Sequence, residues 1–197
     1  VTIKAYSDDV VFNGGEKILS TQNKVTIDGV QFINYLGTTD LINNVGTLIF
    51  NNTLFYQNQS YTTDADNIKT YKNIIYNEGN LEINNCAIVN NSNKFIDNVG
   101  TATAEYNWWG VDAPDFTKLL NNITVKYWIC MDFITKIDPV NMGTTPTLIA
   151  SLNHYTDGKE VYKLSTQFLP SRKGIFAIKT ESINKEKGSL TPLIDYT

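Results

Sequence analysis

The sequence predicts an all-β chain in which a parallel β-helix is followed by an antiparallel β-sandwich. Three observations carry this reading: an internal Asn/Gly-rich repeat, a strict alternation of apolar residues within each repeat, and a change of composition near residue 113. Of the 24 Asn, 19 fall in residues 1–107, whereas Pro114, Pro139, Pro146, Pro170 and Pro192, all five prolines, come later. Charge divides at the same place, with 6 basic and 11 acidic residues up to residue 107 and 10 basic and 9 acidic after it. The expected division is 1–122 for the β-helix with its cap and 123–197 for the second module.

The repeat aligns Val25-Thr-Ile-Asp-Gly-Val-Gln-Phe32, Leu48-Ile-Phe-Asn-Asn-Thr-Leu-Phe55 and Leu81-Glu-Ile-Asn-Asn-Cys-Ala-Ile88. A second piece, Ile42-Asn-Asn-Val-Gly-Thr, recurs as Ile75-Tyr-Asn-Glu-Gly-Asn and Ile96-Asp-Asn-Val-Gly-Thr. Gly46 to Gly79 is 33 residues and Gly79 to Gly100 is 21, so the longer interval holds an insertion over 57–73. Val1-Thr-Ile3 stands 24 residues before Val25-Thr-Ile27 and opens an earlier coil. The apolar residues follow the strand period of two, not the helical 3.6. Short strands at a fixed period of this size, joined by tight Asn/Gly corners, describe a parallel β-helix; an Asn-rich β-sandwich is the competing arrangement.

Stacking then assigns roles. Val25/Leu48/Leu81, Ile27/Phe50/Ile83, Val30/Thr53/Cys86 and Phe32/Phe55/Ile88 become interior columns. Gly46, Gly79 and Gly100 become a corner column expected at positive φ. Asn44, Asn77 and Asn98 become an amide ladder. Proline is excluded because each backbone N–H is needed by the neighbouring coil. The last repeat, Ala102-Thr-Ala-Glu-Tyr-Asn-Trp-Trp-Gly110, places Ala104 with Ile83 and Trp109 with Ile88, so Trp108 and Trp109 are expected to cover the open end of the core. A Trp pair that stacks on sugars is the alternative.

The Asn-rich repeats, the Asn107-Trp-Trp-Gly110 motif with Pro114-Asp-Phe behind it, and the strand Val125-Lys-Tyr-Trp-Ile-Cys-Met131 resemble the large adhesin-like surface proteins of methanogenic archaea. The resemblance implies a right-handed parallel β-helix of the pectate-lyase-like type and an immunoglobulin-like module. It also implies an extracellular, cell-surface location with the anchor elsewhere, and attachment to another cell or to a glycan or protein ligand. It brings no catalytic or binding motif.

After a short helix at 115–120, strands are expected at 124–135, 145–153, 160–168, 174–180 and 189–193, separated by turn signals such as Asp157-Gly-Lys. That is four or five strands where an immunoglobulin-like sandwich has seven, so the module reads as incomplete or unusually small.

Composition narrows the chemistry. With 16 Lys+Arg against 20 Asp+Glu the net charge is −4, which disfavours nucleic acid as a partner. No apolar run is long enough to insert in a membrane. No cofactor or metal motif is present: Asp64-Ala-Asp-Asn67 opens like a calcium loop but lacks its glycine and closing glutamate. His154 reads as a loop residue, and Cys86 and Cys130 as buried free thiols. Asn51, Asn58, Asn90 and Asn122 begin glycosylation sequons.

Three functions follow. The first is a fragment of a cell-surface adhesin, whose best contact candidate is the insertion with Tyr61, Asp64, Asp66 and Tyr71, although a solvated, mobile loop is the favoured description of that segment. The second is a polysaccharide lyase or hydrolase. Asp28 and Glu105 lie three coils apart, roughly 14 Å, beyond the about 5 to 9.5 Å a hydrolase pair needs; Glu82 and Glu105, at roughly 8 Å by the same spacing, satisfy it. Against a lyase, the repeats hold no Arg, and Arg172 stands alone in the chain. On balance no enzymatic activity is expected. The third function is a structural stalk.

Overall fold

The computed structural model describes residues 1–5, 10–15, 19–92, 94–135 and 148–165. The first region is a parallel β-solenoid with three walls. The first wall stacks Thr2–Lys4, Lys24–Asp28, Thr47–Asn51, Asn80–Asn84 and Thr101–Thr103. The second stacks Val11–Asn13, Gln31–Ile33, Leu54–Tyr56 and Ala87–Val89. The third stacks Leu19–Thr21, Ile42–Asn44, Ile75–Asn77, Ile96–Asn98 and Leu120–Asn121. Every pairing within the walls is parallel and joins consecutive coils.

The register follows the repeat. Val25, Leu48 and Leu81 are partners, as are Ile27, Phe50 and Ile83 on the first wall and Phe32, Phe55 and Ile88 on the second. Thr2 pairs with Thr26, which places Val1-Thr-Ile3 in the first coil. Inward residues of successive coils meet in columns, so each apolar side chain leaves water against its own counterpart. Full burial of such a side chain stabilises by about 1.5–3 kcal/mol. The aromatic column is continuous: Phe12 stacks on Phe32 and Phe32 on Phe55, each at 5.2 Å. Edge-to-face contacts then carry it through Phe95, Trp109 and Phe116 to Trp128.

The corners show a different division of labour from the expected one. None of Gly46, Gly79 and Gly100 has positive φ. They are glycine because the coil below lies against them: a Cβ on Gly79 would collide with the Gly46 carbonyl oxygen, and one on Gly100 with that of Gly79. Left-handed backbone sits instead at the other two corners. Gly29, Asn52, Asn85 and Tyr106 form one such column, with φ of 75°, 47°, 57° and 56°. Gly14, Asn34, Gln57 and Asn90 form the other, with φ of 69°, 57°, 55° and 54°. Asparagine tolerates that region better than other residues with a Cβ, which explains why Asn34, Asn52, Asn85 and Asn90 occupy four of these eight positions.

Asn44, Asn77 and Asn98 are buried and linked. Asn44 Nδ2 donates to Asn77 Oδ1 and Asn77 Nδ2 to Asn98 Oδ1, both at 2.6 Å, while Thr21 Oγ1 donates to Asn44 Oδ1 at 3.0 Å. The same amides donate to the carbonyls of Gly46, Gly79 and Gly100, so the ladder also holds the glycine corner. A second ladder, absent from the sequence reading, joins Asn58 Nδ2 to Asn91 Oδ1 at 2.9 Å and to the Phe32 carbonyl at 2.9 Å.

At the end of the repeats Trp108 and Trp109 diverge instead of covering the core together. Trp109 enters the main core, whereas Trp108 packs with Ala87, Ile129 and Leu164 in a second cluster. Phe116 in the short helix Phe116–Leu119, with Ile123, Val125 and Trp128, covers the core. Beyond it, Trp128–Thr135, Leu148–Thr156 and Val161–Lys163 form a three-stranded antiparallel sheet. The strands expected at 174–180 and 189–193, and the end of that at 160–168, lie outside the described residues. No helix among the described residues is long and apolar enough to cross a membrane.

Three outcomes test this packing. Gly79→Ala is expected to destabilise the solenoid by more than about 4 kcal/mol, since backbone and not a flexible side chain must yield; urea unfolding measures it. Burial pushes the Cys86 thiol from 9.0 up to about 12. The unfolded thiol ionises first as pH rises, so this contribution to stability is whole below pH 9.0 and is lost toward pH 12. Cys86→Ala should therefore flatten the alkaline loss of stability. Native Cys86 should resist a maleimide until the chain unfolds.

Candidate functional site

The insertion is a β-hairpin and not an irregular loop. Gln59–Thr63 and Lys69–Tyr71 form an antiparallel hairpin. Its first strand continues sideways as the parallel partner of Leu36–Gly37, so the hairpin is rooted in the solenoid. The buried side chains of Asn58 and Ser60 fix that root; Ser60 Oγ donates to the Thr39 carbonyl at 2.6 Å. Beneath it Tyr35 is buried, and its hydroxyl donates to the same carbonyl at 2.8 Å.

The hairpin's four named candidates divide into two pairs. Tyr61 and Tyr71 face each other as direct cross-strand partners, their rings edge to face with centroids 5.9 Å apart. Lys69 Nζ lies 4.1 Å from the centre of the Tyr61 ring, a cation–π contact. Tyr71 is 39% exposed, and Ile68 beside the turn is 61% exposed. The arm thus presents aromatic, cationic and aliphatic surface to solvent. Asp64 is used differently: its Oδ1 accepts from the backbone N–H groups of Asp66 and Ile68, at 3.0 and 2.9 Å, and so shapes the turn. Asp66 is exposed in that turn. Among the described residues no group of three or more His, Cys, Asp or Glu side chains is placed to hold a metal ion.

The acidic candidates have separate partners. Both Glu105 carboxylate oxygens accept backbone N–H groups, Oε1 from Lys126 at 3.1 Å and Oε2 from Tyr127 at 2.8 Å. Glu82 is exposed on the first wall. Asp28 accepts from Asn52 Nδ2 and lies 3.7 Å from Lys4 Nζ. His154 is not in a loop: it lies in Leu148–Thr156, with Cys130 and Lys163 as its strand partners and Asp132 Oδ2 3.8 Å from its Nδ1. Cys86 and Cys130 are free and buried.

The sequons separate by burial. Asn58 and Ser60 are wholly buried, and Asn58 Nδ2 is occupied, so this sequon is closed in the folded chain. Asn122 and Thr124 are both exposed, and Asn90 is exposed.

Sequence reasoning passed over Lys69, whose position two residues before Tyr71 gives it the correct side of the hairpin once the register is known. It also passed over the structural use of Asn107. That side chain accepts from Cys86 N–H at 2.8 Å and donates to the Ile83 carbonyl at 2.6 Å, pairing the last coil where a further strand is missing.

No protein-family model matches the chain, and neither the curated proteins nor the solved structures searched give a significant match.

Asp64→Ala is expected to fray the hairpin by removing an acceptor shared by two backbone N–H groups, a local loss of about 1 kcal/mol. Limited proteolysis should cut within 64–68 faster than in the parent chain, with solenoid melting unchanged.

Proposed function

We propose that the chain is a fragment of an extracellular, cell-surface adhesin, in which the solenoid holds out the 59–71 hairpin as a contact surface. The hairpin carries this reading. A segment paired as a hairpin, rooted by buried polar side chains and bearing two tyrosines with a cation on one of them, is suited to binding. Paired aromatic rings stack on sugar or peptide surfaces at little entropic cost, because their own contacts already restrict them. The resemblance of the repeats and of Asn107-Trp-Trp-Gly110 to adhesin-like surface proteins of methanogenic archaea supports the same reading. It extends it to a right-handed coil and to an immunoglobulin-like module containing the antiparallel sheet. The ligand is then the surface of another cell, presenting a glycan or protein.

A polysaccharide-active enzyme is less well supported, because Glu105, the acid best spaced from Glu82, spends both carboxylate oxygens on backbone amides.

Cell-attachment and glycan-array assays of the parent chain and of the double variant Tyr61→Ser/Tyr71→Ser test the proposal. The parent is expected to bind and the variant to lose about tenfold or more in affinity, as for removal of two aromatic anchors. Equal binding by both overturns the assignment to the hairpin, and binding by neither favours a stalk. Turnover of a polysaccharide that disappears in Glu82→Gln or Glu105→Gln favours the enzyme.

A further inference from the structure

At the root of the hairpin the solenoid wall forms a shallow groove of about 480 Å³, lined by Asn34, Tyr35, Leu36, Gln57, Gln59 and Asn90. Three of these, Asn34, Gln57 and Asn90, are successive members of one left-handed corner column, with φ of 57°, 55° and 54°. Equal backbone conformation at equal register sends their side chains out in parallel, one strand spacing of about 4.8 Å apart. Gln59 and Leu36 are cross-strand partners at the foot of the hairpin. Leu36 is 63% exposed. Among the described residues no charged side chain lines the groove.

We propose that this amide column, with Gln59 and Leu36, binds an uncharged, hydroxyl-rich glycan chain running parallel to the solenoid axis. This deepens the attachment reading by naming a ligand class, and it is tested separately from the hairpin.

Three features select the ligand. The first is the state of the amides. Those of Asn44, Asn77, Asn98, Asn58 and Asn91 are consumed by ladders and backbone. Those of Gln57, Gln59 and Asn90 are exposed and bonded to no described residue, and Asn34 donates to Asn13 Oδ1 at 3.1 Å, which leaves its own Oδ1 to accept. Each free amide offers two donors and an acceptor, the complement of a sugar hydroxyl pair. The second is neutrality. A uronate or sulfated polymer finds no cation among the described residues of the groove to offset the desolvation of its charge, whereas a neutral polyol has no such cost. The third is spacing. On one face of an extended peptide side chains recur every two residues, about 6.7 Å, out of step with the column; one pyranose of an extended glycan advances by close to one coil. Leu36 adds apolar surface for a ring face, in keeping with sites that combine a few polar groups with an apolar wall.

Affinity electrophoresis of the unglycosylated chain, made in a host without N-glycosylation so that Asn90 stays bare, tests the groove. The probes are soluble mixed-linkage β-glucan, mannan and hydroxyethyl cellulose, with polygalacturonate as the acidic comparison. Gln57→Gly/Asn90→Gly removes two amides while glycine keeps positive φ without strain. At least one neutral polymer should retard the parent, polygalacturonate should not, and the double variant should bind at least about tenfold more weakly, as expected for two lost hydrogen bonds. If the double variant fails to melt like the parent, Gln59→Ala replaces it, with a loss of about threefold expected from one bond. Retardation by no neutral polymer, equal retardation by polygalacturonate, or undiminished binding by the folded variants overturns the proposal. Tyr61→Ser/Tyr71→Ser should keep the neutral-polymer binding. If cells attach through the tyrosines and neutral polymers do not bind, the groove assignment fails and the adhesin reading stands. Polymer binding without any cell attachment has the opposite meaning.

Discussion

One constraint governs the molecule: each coil must lie a single strand spacing from the last, along every wall and around every corner. Walls meet it easily, because parallel ladders set that distance. The corner joining the third wall to the first meets it only where no Cβ intervenes, and there Gly46, Gly79 and Gly100 allow carbonyl and backbone to approach closely. Once coils are so close, equivalent side chains must tolerate their own kind as neighbours. Phenylalanine does so by stacking at 5.2 Å, near the strand spacing itself. Asparagine does so by donating to the next asparagine. The absence of proline before residue 114 is the same constraint expressed as an exclusion.

A stack of coils has ends, and the described end after Thr103 is closed by several unlike devices. Leu120–Asn121 gives the third wall one more strand. On the second wall Trp108 makes a single parallel bridge to Ala87, and the Asn107 amide pairs backbone groups nearby. The Glu105 carboxylate holds the passing chain at Lys126 and Tyr127. The aromatic column runs out through Trp109, Phe116 and Trp128. Side chains thus do near the end what backbone does in the middle. The same residues bind the antiparallel sheet to the solenoid: Tyr106, Tyr127 and Tyr155 pack face and edge across the junction, with Tyr162 stacked outside.

The walls were legible because a column repeats a residue type at a fixed offset, so Leu48 over Leu81 and Phe32 over Phe55 announce themselves. The corner glycines were legible as a column but not in their cause. Sequence offers the same letter for positive φ and for close approach, and only the position of the Gly46 carbonyl separates the two. The Asn58–Asn91 ladder was hidden because the hairpin insertion follows Asn58 directly and displaces its repeat. The hairpin itself was hidden because its strands, Gln-Ser-Tyr-Thr-Thr and Lys-Thr-Tyr, carry no apolar alternation: they stand on the solenoid and bury little. His154 was misread for a related reason, since Asn and Asp-Gly around it are turn residues by composition. The exposed amides of the groove could have been found in the sequence only by asking which asparagines and glutamines fall outside the ladders.

The Asn ladder also has a direction. Thr21 donates to Asn44, Asn44 to Asn77 and Asn77 to Asn98, and the Asn98 amide donates onward to the Asn122 carbonyl. Among Asn44, Asn77 and Asn98 the side-chain links all run this way, so their amide dipoles add head to tail and each bond polarises the next, while at the end the Asn122 amide donates back to the Asn98 carbonyl. This buried column therefore has an electrical axis as well as a geometric one. Reversing any single amide would place two donors or two acceptors in contact inside a buried column, so the polarity of the first link dictates that of the last.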